Sequence, residues 1–219
     1  MTTSYGDSWE LCLAEAKEII NNEHSTTGGE MVKHGIQLNP VADSPNNDAF
    51  EAIVELYYQT KGYITSAGKW FWVWEEGKKQ RGYQDIDVLA VNAQEAVIVS
   101  VTSNLDDKLS LDKTKNVNQE KLKKLLAFFS RVECYLTGVE EYAWLTNTRR
   151  IRRVVAYNHA FRNAEAYVIP RLKERNIEVV SAKTMLKNLS LYIKQPNMKI
   201  QDQMLRVIQL LEYNGNIDI

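Results

Sequence analysis

The sequence predicts an α/β protein, with a mixed central sheet flanked by helices and an added helix towards each end of the chain. Apolar residues recur at three- and four-residue spacing in several segments, and between these stand short runs rich in β-branched and aromatic residues. Size is the third indication. A chain of 219 residues, 44% of them hydrophobic, buries one sizeable core. One main domain over residues 49–193 is therefore expected, with an N-terminal helix and linker (1–48) packed on it and a C-terminal helix within 194–219.

Trp9, Cys12, Leu13, Ala16, Ile19 and Ile20 make an apolar stripe behind a Ser8 cap and predict a helix over 8–22. Residues 23–48 hold Gly, Pro, Asn and Ser with little periodicity and read as a loop. Phe50, Ile53, Val54, Tyr57 and Tyr58 define a helix over 49–60 that stops before Gly62. The runs 69–74 (KWFWVW), 83–91 (YQDIDVLAV) and 96–103 (AVIVSVTS) predict three consecutive antiparallel strands, separated by the turns EEGKKQRG and NAQE. In 117–132, Leu122, Leu125, Leu126, Phe129 and Val132 share one helical face and Lys121, Lys123 and Lys124 lie elsewhere. Strands over 153–158 and 177–182 alternate with helices over 160–174, which contains Pro170, and 183–193, as in a parallel β-α-β unit. The run EYAWLTN (141–147) reads as a further strand. A last helix spans 199–213, ends at Asn214 and Gly215, and is expected to dock through its apolar stripe.

Charge is unevenly spread. Residues 1–48 carry eight acids against Lys17 and Lys33, a local −6 within a total of −1, so the remainder carries about +5. Cys12 and Cys134 lack the spacing of a disulfide framework or a zinc site, and His24, His34 and His159 share no ligand spacing. No stretch approaches the roughly 18 apolar residues of a membrane span, and the first residues do not read as a signal peptide. A cytoplasmic or nucleoid-associated protein without a membrane partner is expected.

The order helix, three-strand meander, helix, strand, helix, strand resembles that of the PD-(D/E)xK superfamily of restriction-endonuclease-like proteins, and two segments resemble its motifs. AFEAIVELYYQTKGY is similar to the opening helix of Mrr-like members, on Phe50, Glu51, Gly62 and Tyr63. GYQDIDVLAV is similar to the strand whose acid binds metal, which is Asp87 here. The resemblance implies a restriction-endonuclease-like core and a Mg²⁺- or Mn²⁺-dependent endonuclease or exonuclease if active. Its metal would lie on Asp87 and Glu51, because a hard divalent cation takes oxygen ligands, polarises the scissile phosphate and generates hydroxide from water.

The third motif departs from the pattern. Ser100 stands where the family has an acid and Thr102 where it has the lysine. Neither supplies charge. Two expectations follow: a degenerate site around Glu51, Asp87, Ser100 and Thr102, or a relocated one that uses Glu55, Asp85, Lys108, Lys121 or Lys124. Period two along a strand places Asp85 on the face of Asp87. The plainer alternatives are solvated helix acids for Glu51 and Glu55, and strand-end acids for Asp85 and Asp87.

Lys78, Lys79 and Arg81 crowd one turn, and Arg149, Arg150, Arg152 and Arg153 form RRIRR. Both are candidate phosphate contacts or solvated charge runs. Trp70, Trp72 and Trp74 share one strand face and Phe71 with Val73 the other, which suits core packing, a homodimer through this strand, or base stacking. The readings are a nucleic-acid-associated protein with a nuclease fold, and a non-catalytic interaction or dimerisation module built on the same fold.

Overall fold

The computed structural model of the chain describes residues 49–75, 79–111, 116–138, 149–161, 164–196 and 202–214. The segment 1–48, Lys78 and the 141–147 run lie outside them. Helix α1 (Ala49–Gln59) opens the fold and buries Phe50, Val54, Tyr57 and Tyr58. It stops because Gly62 turns to φ +84°. Gly62 N–H then donates to Gln59 O (2.9 Å) and Tyr63 N–H to Tyr58 O (3.1 Å). This paired bonding satisfies the last carbonyls and needs a residue without a Cβ penalty at positive φ.

Strands β1 (Ile64–Glu75), β2 (Lys79–Val91) and β3 (Glu95–Asn104) form the expected antiparallel meander. Each is longer than its apolar run. Ile64 to Ala67, for example, pair with Val91 to Val88 although the segment is mostly small and polar. There follow a short helix α2 (Leu105–Lys108), helix α3 (Gln119–Gly138), strand β4 (Arg150–His159), helix α4 (Ala164–Lys173) and strand β5 (Ile177–Ser181). Helices α5 (Ala182–Ile193) and α6 (Gln203–Tyr213) complete the described chain. Helix α3 outruns its predicted end at 132 and buries Tyr135 and Leu136 in the extra turns.

The sheet order is β1-β2-β3-β4-β5, with β3, β4 and β5 mutually parallel. Parallel neighbours require crossovers, which α3 and α4 occupy. Both crossover helices lie on one face, and α1 and α5 cover the other. On one side Phe71, Ile86, Leu89 and Ile98 pack with Phe129 and Val132 of α3 and Leu172 of α4. On the other, Val88, Val97, Val99 and Val154 pack with Val54 and Tyr57 of α1 and Met185 of α5. Ala96 through Thr102 on β3 are all buried, as befits a central strand between two helical layers. The C-terminal helix docks: Leu205 and Ile208 of α6 meet Leu56 of α1 and Leu189 and Ile193 of α5. No helix among the described residues is long and apolar enough to cross a membrane.

Candidate functional site

The β2–β3 ladder contains only four pairs, from Val91↔Ala96 to Val88↔Val99. Asp87 is the next residue along β2, and there the strands part. Its carboxylate takes the place of a ladder acceptor: Oδ2 accepts from Val101 N–H at 2.5 Å and from Ser100 Oγ at 3.3 Å. Burial pushes the Asp87 pKa above the ordinary aspartate value. The charge of Lys108 and the Val101 N–H pull against that shift, Asp85 adds to it, and the Ser100 hydroxyl opposes it.

The same point breaks the alternation of β2. Ile86 packs with the α3-side core and Val88, two residues on, with the α1-side core. In a regular strand they would share a face. Opposite Asp87 the β1 register passes over Gly68, whose φ is +63°. A glycine allows the edge strand to turn where its neighbour leaves the ladder. Period two therefore does not carry from Asp85 to Asp87: Asp85 is exposed, and its charge still reaches Asp87.

Of the residues singled out from the sequence, Ser100 is hydrogen-bonded to Asp87, and the charges of Lys108 and Asp85 act on it. Thr102 is buried, and its Oγ1 donates to Asn104 O at 2.8 Å. Lys121 Nζ donates to Asp106 O at 2.9 Å, and Lys124 is exposed on α3. Glu51 and Glu55 are half-buried on α1. Among the described residues no group of three or more His, Cys, Asp or Glu is placed to hold a metal ion, so Glu51, Glu55, Asp85 and Asp87 do not converge into one. A divalent cation needs several oxygen ligands. Here one carboxylate, with one oxygen already held by two donors, faces a neutral hydroxyl. The described residues do not by themselves make a seat for Mg²⁺ or Mn²⁺.

Arg152 and Arg153 are engaged in pairs with carboxylates. Arg152 binds Glu95 of β3 and Glu178 of β5, and so crosses the starts of three parallel strands. Arg153 makes a two-pronged pair with Glu133 of α3, at 2.5 and 2.7 Å. Arg149 Nε donates to Asn92 O at 2.6 Å, and Arg150 is exposed. Glu95 also accepts from Tyr63 Oη. Burial would raise its pKa, but the bonds from Tyr63 and Arg152 outweigh it and hold the carboxyl below the usual glutamate range. Hydrogen bonding to Glu178 raises the Arg152 pKa further. No spacing in the sequence marks this network, since Glu95 and Glu178 lie 57 and 26 residues from Arg152.

These side chains border a cleft of about 620 Å³, where Arg149, Arg150, Arg152, Arg153 and Lys173 face Glu133 and Glu178. Among the described residues the lining carries five cations and two carboxylates, and Glu95, which also binds Arg152, stands beside it. At the other end of the sheet, Phe71 stacks on Tyr135 with ring centroids 4.4 Å apart, and Val73 packs beside it. Trp70 and Trp72 form an edge-to-face cluster with Tyr83, which is 69% exposed. The side chains of Trp74, Lys79 and Arg81 lie outside those described.

No protein-family model matches the chain, and no curated protein matches it. A crystal structure of a protein of unknown function, AF1548, is similar over 75% of this chain and 76% of its own, with 14% identity and a TM-score of 0.39. That likeness is too slight to bear on function.

Proposed function

We propose that this chain is a nucleic-acid-associated protein with a restriction-endonuclease-like fold that binds its ligand without cutting it. The arrangement at Asp87 carries the reading. An acid on the middle strand of the meander is what the PD-(D/E)xK resemblance calls for, and in this chain it stands where that strand leaves its neighbour. Its hydrogen-bond partners are a backbone N–H and a neutral Ser100 hydroxyl, and neither lends the negative charge that concentrates a divalent metal. The basic cleft at the starts of β4 and β5 supports the nucleic-acid part, because clustered guanidinium groups suit phosphate oxygens.

The test is fluorescence anisotropy with labelled single- and double-stranded DNA and RNA across a salt series, alongside incubation in Mg²⁺ or Mn²⁺. Binding should weaken with salt, and Arg150→Ala with Lys173→Ala should lower the salt slope by about one for each phosphate that is no longer neutralised. Those two side chains are exposed, so their loss leaves the Arg152 and Arg153 pairs intact. Absence of binding at low salt sinks the proposal. Cleavage that Asp87→Ala abolishes would instead make the chain a nuclease.

A second reading, an interaction or dimerisation module, is favoured by the Trp70, Trp72 and Tyr83 cluster on the edge hairpin. Edge strands offer unpaired backbone groups to a second chain. A dimer by light scattering that Trp72→Ala dissociates would support it, and a monomer at all concentrations would remove it.

A further inference from the structure

Helix α6 has two apolar faces. Leu205 and Ile208 are buried against α1 and α5. Val207, Leu210 and Leu211, at the three- and four-residue spacing of a single stripe, lie on the opposite face, 48%, 61% and 37% exposed. A docked surface helix ordinarily turns polar residues outward. The chain holds a second apolar stripe, Trp9, Cys12, Leu13, Ala16, Ile19 and Ile20, in the segment that precedes the described residues.

We infer that residues 8–22 cover the outer face of α6, so that the chain's N-terminal segment is the occupant of this surface. Reach permits it. The 26 residues from 23 to 48 make a tether with a root-mean-square span of about 28 Å if flexible, and it enters the fold at Ala49. Helix α1, which starts there, is about 16 Å long and brings Leu56 into the same cluster as Leu205 and Ile208. Charge agrees as well. Residues 8–22 carry Glu10, Glu15 and Glu18 against Lys17, whereas residues 181–214 carry Lys183, Lys187, Lys194, Lys199 and Arg206 against Asp202 and Glu212, with Lys194 and Glu212 paired to each other. A tethered segment also meets this surface at a far higher effective concentration than a second copy of the chain does.

Cys12 on the N-terminal stripe supplies the test. In the full chain with Cys134→Ser, Leu210→Cys is combined with mild oxidation, with Lys173→Cys on α4 as the distant control. Both introduced positions are exposed, so neither substitution disturbs the core. The expected result is an intrachain disulfide from position 12 to position 210 in a monomer, read by peptide mass spectrometry, with little or none to position 173. Equal cross-linking to both positions, or none to either, overturns the inference. A disulfide-linked dimer through position 210 also overturns it and makes a second copy the occupant.

Discussion

At Asp87 the fold holds a carboxylate that burial penalises, and the pH behaviour follows from the sign. Its pKa is raised in the folded chain, so the folded form keeps its proton more tightly than the unfolded one. The contribution to stability is greatest below the unfolded value, roughly pH 4, and is lost as pH rises through the folded value. Asp87→Asn keeps an oxygen for the Val101 N–H and removes the buried charge. Thermal melts should show the variant more stable than wild type at pH 7, with the gap narrowing below about pH 4. A variant less stable at pH 7 would mean that the negative charge itself holds the strands. Asp87 is legible in the sequence because an acid interrupts an apolar strand. Its bond to Val101 N–H is not, because nothing in the residue pattern says where a ladder ends. Lys108 likewise stands in the sequence as one candidate among several, since its approach depends on helix α2, which no apolar period marks and which is capped by the Asn104 side chain accepting from Asp106 N–H.

Among the elements, the triad of Glu95, Arg152 and Glu178 ties the starts of β3, β4 and β5. Glu95 is only 15% exposed at its side chain, so removing its charge leaves the Arg152 guanidinium with one partner in a partly dry setting. Glu95→Gln should cost about 1–3 kcal/mol in urea unfolding at pH 7. The folded pKa of Glu95 is lowered, so this stabilisation is present above the ordinary glutamate value and is lost as pH falls through the folded one. The difference between variant and wild type should therefore close in acid, and a difference that stays constant down to pH 3 would show the loss to be one of packing. The elements themselves are largely legible, because their apolar periods match the faces they bury. Their lengths are less so. Ile64 to Ala67 enter β1 through pairing with an apolar neighbour rather than through their own propensity, and tertiary pairing of that kind leaves no local trace.

For the molecule as a whole, the α/β class and the sequence of helices and strands follow from the pattern of runs, and the parallel half from the alternation of strand and helix. The restriction-endonuclease-like reading rests on the Asp87 strand and the opening helix, and the binding and cleavage assays test it. The sheet is also unevenly joined, in a way that bears on assembly. Eleven residue pairs join β1 to β2 and nine join β3 to β4, but only four join β2 to β3. The hairpin is local and can zip within about 1–10 μs, whereas the parallel half must first close two long crossovers. Native-state hydrogen exchange should report the reverse journey: amides of β2 before Val88 open at lower free energy than those of Val97 to Val101, and uniform protection across both would mean that the sheet opens as one unit.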